Sequence, residues 1–296
     1  MDCLSYGCWL CFMEQGQKEA CGSGRLGMKS DLLSLSAVYT RMIFRSWFQY
    51  KVDAILRSLA VFLREATAII VMYFALLKFD SLNGWNVYEI LFLSSLIYVT
   101  YGILIIFFTG LRDFGNTVRS GGFDRYILRP RGLLYQLIFA NADWFAAVGQ
   151  GGLGIVLFII SASKVGVVWT PVRIIYYILT ITGGVLIQGA IFLFLAALNI
   201  YLLETNALKE VFYWDIRKFA GCPISIFHKA IQFLMTFIVP FAFVNYFPAQ
   251  FLLRKDDMAN YPAFFMYITP LVGLVMYLLV YVFWRYSIKY YKSSGN

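Results

Sequence analysis

The chain has 296 residues, of which 60% are apolar or aromatic and only 14% are charged. Soluble domains carry roughly 45–50% apolar and about 25% charged residues, so a water-soluble globular protein is excluded. A net charge of +9 points to nucleic acid in a soluble chain, but in a membrane chain it reports orientation, because basic residues collect in cytoplasmic loops.

A helix crossing about 30 Å of hydrocarbon needs about 20 residues. Six such spans fit this length and leave too little for a soluble catalytic domain, so the expected fold is an all-α integral membrane protein. Any ATP-hydrolysing module must belong to another chain.

Residues 1–30 stand apart from the rest. They hold four of the five cysteines (Cys3, Cys8, Cys11 and Cys21) and a short apolar run, Cys8 to Met13. They lack the basic region and small-residue cleavage site of a secretory signal. The segment reads either as a disordered extension or as residues upstream of a true start at Met28. Cys8 and Cys11 have C-x-x-C spacing, but no second pair completes a zinc pattern and the chain has one histidine, His228. Neither a metal site nor a disulfide framework is expected.

Residues 31–56 are amphipathic. Tyr39, Ile43, Trp47, Tyr50 and Ala54 recur at helical spacing, with Arg41 and Arg45 on another side. Such a helix lies in the membrane interface, its basic groups at lipid headgroups. Asp53 and Arg57 are four apart and suited to pair.

Residues 57–296 form the six-helix membrane domain. The spans are expected at Ser58–Leu77, Tyr88–Gly110, Phe139–Ala162, Ile174–Leu202, Ile231–Pro248 and Phe264–Trp284. Two polar connections, Leu111–Ile138 and Glu204–Lys229, lie between spans two and three and between four and five. With both termini inside, 19 of the 25 Lys and Arg residues fall on the cytoplasmic side and 5 outside, Arg64 lying within the first span. That bias fixes the expected orientation.

Gly149-Gln150-Gly151-Gly152-Leu153-Gly154 matches Gly-x-Gly-x-x-Gly, yet it lies inside a span rather than after a strand. Close packing of helices is the expected role. Gln150 and Gln188 are suited either to hydrogen bonds across helices or to lining a substrate path. Arg64-Glu65 is the one adjacent charged pair within an expected span, and both are further candidates for the substrate path or for helix packing. A charge there demands a partner, water or a headgroup, and Arg64 is near enough to the span's end to snorkel.

The first connection is the most informative. Leu111–Ser120 suggests a short polar helix broken by Gly121-Gly122. Asp124-Arg125-Tyr126-Ile127-Leu128-Arg129-Pro130 follows, with Asp124 as a suitable N-cap and Pro130 as a stop. Tyr126, Ile127 and Leu128 make an apolar ridge among arginines, which suits docking to a cytoplasmic partner. No Gly-x-x-x-x-Gly-Lys-Ser/Thr, His-Glu-x-x-His or Gly-x-Ser-x-Gly occurs, and no catalytic constellation is visible.

The run Phe48-Gln49-Tyr50-Lys51-Val52-Asp53 followed by six spans resembles the ABC-2 type permeases of bacteria. Gly121–Pro130 is similar to that family's Gly-x-Leu-Asp-x-x-Leu-x-x-Pro stretch, with Phe123 and Ile127 where Leu is usual. Cys222–Phe227 and Ile238–Ala249 resemble its tyrosine-proline and proline-aromatic segments, Cys222 standing where Tyr or Arg is common. The resemblance implies the permease half of an ATP-driven exporter in the bacterial inner membrane. It implies two permease chains, identical or homologous, and a separate cytoplasmic ABC ATPase that binds ATP and Mg itself. Asp124–Pro130 would then be the ATPase-coupling loop. Lipids are the other expected partner and nucleic acid is not expected. A gradient-driven transporter or channel, and a membrane scaffold or lipid-handling enzyme, are the alternatives.

Overall fold

A computed structural model describes residues 51–291, apart from 77, 79–80, 130–131, 141 and 203–204. The extension at 1–30 and almost all of the amphipathic helix expected at 31–56 lie outside the described residues. Every described regular element is helical. Ile55–Asn296 forms one compact unit, and the elements treated below belong to it.

Five stretches are long and apolar enough to cross a membrane: Ile55–Leu76, Val87–Arg119, Trp144–Val165, Pro171–Leu198 and Thr269–Tyr290. The first lies in helix α1 (Lys51–Leu76), which runs without a break through residue 57. The second joins α2 (Val87–Arg112) to the short α3 (Phe114–Arg119). After α4 (Asp124–Ile127) and α5 (Leu133–Ala140) come α6 (Trp144–Val165) and α7 (Pro171–Leu198).

Local chemistry sets the ends of these helices. Asn86 opens α2 with a capping box, its side chain accepting from the Tyr88 amide while Glu89 accepts from the Asn86 amide at 2.7 Å. Asp143 caps α6 through the Ala146 amide at 3.1 Å, and Gly166 closes it at φ +72°. Thr170 and Pro171 start α7.

Helix α2 is the buried axis of the unit, with Leu93, Leu96 and Leu104 fully enclosed. The glycine run serves as packing, as expected. A Cβ on Gly154 would stand 2.6 Å from the Val99 nitrogen, and one on Gly102 would stand 2.5 Å from the Gly151 Cα. Small residues thus bring the α2 and α6 backbones together. Gly183 and Gly273 do the same where α7 meets the final helix, α12 (Thr269–Ser287).

The fifth crossing departs from the expectation. Ile231–Pro248 falls on two helical pieces, α10 (Lys229–Ile238) and α11 (Phe241–Leu253), bent by 76°. Pro240 supplies the break, having no N–H for the ladder. Both ends of the pair lie at the same end of the bundle. Ser225, just before it, and Trp85, before α2, both donate to the Asp257 carboxylate, which lies just after it, at 2.5 and 2.6 Å. At the tip, Phe241 reaches Tyr213 with ring centroids 5.5 Å apart. The pair is a re-entrant hairpin.

The crossing is made instead by Asn206–Ala220, which the sequence reading places in a polar connection. It comprises α8 (Asn206–Lys209), a π-helical turn (Glu210–Asp215) and α9 (Ile216–Ala220). Its contacts climb α2 from Arg112 to Ser94. Lys209 donates to the Arg112 carbonyl at 3.2 Å, Arg217 lies over Tyr101 and Tyr98, and the Gly221 carbonyl accepts from Ser94 at 3.3 Å. Among the described residues six passes therefore remain, with the fifth composed of different residues.

Candidate functional site

Two regions carry the residues singled out in the sequence. The first is the elbow between α3 and α5, at the Arg112 end. Phe114 is fully buried at the start of α3, and Gly121 turns the chain at φ +68°. Phe123 then drops into an aromatic socket, 4.9 Å from Phe114 and 4.8 Å from Tyr291, while Phe114 packs 5.2 Å from Trp284 of α12. Edge-to-face rings at such distances hold one another in fixed orientation.

Asp124 is not the N-cap expected. Phe123 occupies that position, and the Asp124 carboxylate accepts from the Tyr291 hydroxyl at 2.9 Å. Burial first, and then this carboxylate, push the Tyr291 phenol up to about 12. Gln136 of α5 donates to the Tyr126 carbonyl at 3.2 Å, and the Arg129 guanidinium lies 5.9 Å over the Tyr126 ring. What faces outward is the remainder of the ridge. Leu128 is 84% exposed and Ile127 43%, beside an exposed Arg125. Pro130 lies outside the described residues. The elbow is thus an apolar tip flanked by arginine, on a base held by rings from α3 and the C-terminal turn.

The second region is a polar belt at mid-height. Glu65, midway along Ile55–Leu76, accepts from Arg64 at 2.6 Å, from Gln150 at 3.0 Å and from the Tyr98 hydroxyl at 3.2 Å. The Arg217 guanidinium lies over Tyr101, Tyr98 and Trp214, at 4.2, 5.1 and 5.7 Å from the ring centroids. It is 91% enclosed, and one Nη has no hydrogen-bond partner. Gln188, fully buried, donates to Thr100 at 2.8 Å and accepts from the Tyr213 hydroxyl at 2.7 Å. Gln150 and Gln188 therefore each bond across helices, but to different partners. Arg57, expected beside Asp53, pairs with Asp143 at 2.8 Å.

The sequence reading missed Asp215, Arg217 and Lys218, which it assigned to a cytoplasmic loop. The aromatics interleaved among them, Tyr213 and Trp214, were the available signal. The socket residues Phe114, Phe123, Trp284 and Tyr291 were missed too, because a lone aromatic among many carries no mark of its role.

Comparison with protein families decides the class: the family described as ABC-2 family transporter protein matches residues 62–295. The chain belongs to the ABC-2 transporter family. Comparison with curated proteins and with solved structures gives no match. As an ABC-2 membrane protein it is a multi-pass permease of the ABC transporter class, a transport subunit of a kind that generally partners with ABC ATPases.

Proposed function

We propose that this permease is the membrane subunit of an ATP-driven exporter of hydrophobic or amphipathic compounds. A separate cytoplasmic ABC ATPase supplies the work, with ATP and Mg held on that partner, and a second permease chain completes the membrane part. The observation that carries this reading is the exposed Leu128 tip on a base fixed by Phe123. Apolar anchors ringed by arginine are what a partner's pocket takes up.

The mechanism follows from linkage. ATP moves the spans only if the closed ATPase contacts one permease conformation more favourably than the other. A loose elbow would absorb that difference. This one is joined to α2 through α3 and to α12 through Trp284 and Tyr291, so displacement of its tip passes to both helices.

Orientation follows the charges. With Arg217 and Lys218 at mid-height and Lys229 opening the hairpin at the Trp85 end, the cytoplasmic excess expected from the sequence changes from 19 against 5 to 16 against 6. Both termini then lie in the cytoplasm of a bacterial inner membrane.

The test is co-purification of the tagged chain with its ABC ATPase. Leu128→Asp is expected to keep insertion and thermal stability while losing the ATPase, since residue 128 is 84% exposed. Retention of the ATPase at wild-type yield by Leu128→Asp would refute the docking role.

A further inference from the structure

The elbow end of the last helix carries two basic side chains with nothing to neutralise them. At this end of the bundle Arg112 is spent on Asp113 at 2.7 Å, and Lys209 on the Arg112 carbonyl at 3.2 Å. Arg285 and Lys289 are exposed, and among the described residues neither finds an ion pair or a hydrogen bond. Four residues apart where α12 ends, they stand one turn above one another. Long basic side chains at the end of a span reach for the headgroup layer, and anionic lipids supply the opposite charge there.

A merely solvated helix end accounts for the charges but not for the rings beside them. Tyr286 and Tyr290 each follow one of the cations, with their rings 5.0 Å and their hydroxyls 2.6 Å apart. Two hydroxyls that share one bond keep one O–H proton to give outward. Lys289 follows Tyr286 by three residues, so its ammonium and the hydroxyl pair are neighbours on the helix surface. Tyr201, three residues past the end of α7, brings a third ring from another helix, 6.1 Å from Tyr290 and 6.4 Å from Phe283. Aromatic rings of this kind sit at the boundary between headgroups and hydrocarbon. Deeper in the membrane, Leu279 and Val282 precede Tyr286 by seven and four residues and share its side of α12; both are exposed, as is Phe194 of α7. Cation and hydroxyl, then ring, then aliphatic surface is the order of a phospholipid from its phosphate to its acyl chains.

We infer that this corner binds one anionic phospholipid of the leaflet on the elbow side, its phosphate held by Arg285, Lys289 and the paired hydroxyls of Tyr286 and Tyr290, its acyl chains lying along Leu279, Val282 and Phe194. Bonds from a guanidinium and an ammonium to a phosphate are the strong, charge-assisted kind. The site joins the end of α7 to the C-terminal turn Ile288–Tyr290. The lipid therefore steadies the residue that precedes Tyr291, the anchor of Asp124 and Phe123. The inference rests on the chain crossing a membrane and not on the ATPase, so its failure leaves the exporter reading standing.

The experiment is native mass spectrometry of the full chain released from nanodiscs of phosphatidylcholine that contain a minority of phosphatidylglycerol. Wild type is expected to retain one phosphatidylglycerol in preference to the more abundant phosphatidylcholine. Arg285→Gln combined with Lys289→Gln is expected to lower that retention at least tenfold. Tyr286→Phe combined with Tyr290→Phe leaves every charge in place and is expected to lower it at least threefold. Arg119→Gln combined with Arg125→Gln removes the same charge from the elbow and is expected to retain the lipid as wild type does. All six side chains are exposed, so the variants probe binding rather than folding. Undiminished retention by the Arg285 and Lys289 variant or by the tyrosine variant, an equal loss in the elbow control, or equal retention of the two lipids by wild type overturns the inference.

Discussion

Tyr291, at the C-terminal end of the last helix, donates its hydroxyl to Asp124, 167 residues earlier in the chain. The same ring caps the Phe123 side chain, so one residue fixes both the charge and the apolar base of the elbow. Tyr291→Phe keeps the ring and removes the bond, with an expected loss of about 1 kcal/mol. The pH dependence has a definite sign. A phenol held at about 12, above its ordinary value near 10, is protonated more readily in the folded state. Its contribution is complete below pH 10 and disappears as pH rises towards 12. Melting curves of wild type and Tyr291→Phe should therefore differ at pH 8, approach one another above pH 10 and converge as the pH passes about 12.

Gly154 and Gly152 lie on the same helix and should respond oppositely to one methyl group. A Cβ at Gly154 meets the backbone of Tyr98 and Val99, whereas at Gly152 nothing lies within 4 Å. Gly154→Ala is expected to destabilise by about 1–3 kcal/mol, the range for overpacking. Gly152→Ala should be neutral or stabilising by up to about 1 kcal/mol, because alanine restricts the unfolded chain. Thermal denaturation in detergent distinguishes the two.

Gln188 links three buried groups, itself, Thr100 and Tyr213. Gln188→Leu strands the Tyr213 hydroxyl in an apolar interior and should cost about 1–3 kcal/mol. Adding Tyr213→Phe removes the stranded donor, so the double variant should recover part of the loss. A double-mutant cycle on melting temperature measures that coupling.

Glu65 is the hub of the belt and Arg64 its exposed partner, with side chains 14% and 66% accessible. Glu65→Gln weakens bonds from Arg64, Gln150 and Tyr98 at once and removes the acid facing Arg217; a loss of about 1.5–3 kcal/mol is expected for hydrogen bonds to a charged group. Arg64→Gln should cost less than 1 kcal/mol, as an accessible pair does. Chemical denaturation of the reconstituted chain gives the comparison.

The apolar spans were legible because hydrocarbon thickness writes itself as some twenty apolar residues in a row, and α2, α6, α7 and α12 all satisfy that rule. The fifth crossing escaped it. Asn206–Ala220 carries five charged side chains, at Lys209, Glu210, Asp215, Arg217 and Lys218, and a hydropathy window counts them all against a span although Arg217 is enclosed by aromatic rings. The hairpin misled in the other direction, since Ile231–Pro248 is apolar enough to span but Pro240 folds it back. In the elbow the glycine break and the exposed ridge were readable locally. The bond from Tyr291 to Asp124 was not, because it joins residues 167 positions apart in the chain.

The hairpin also constrains how the molecule is made. Its two mouths open on one side, and its tip is held by elements from both flanks: Tyr213, from the crossing before it, and Thr269, which donates to the Phe243 carbonyl at 2.9 Å. Thr269 begins the last helix, so the ribosome has released most of the chain before this anchor exists. Insertion machinery that threads each greasy stretch in turn has nothing to thread here. The loop must sink into place late, as a plug seated after its socket is built.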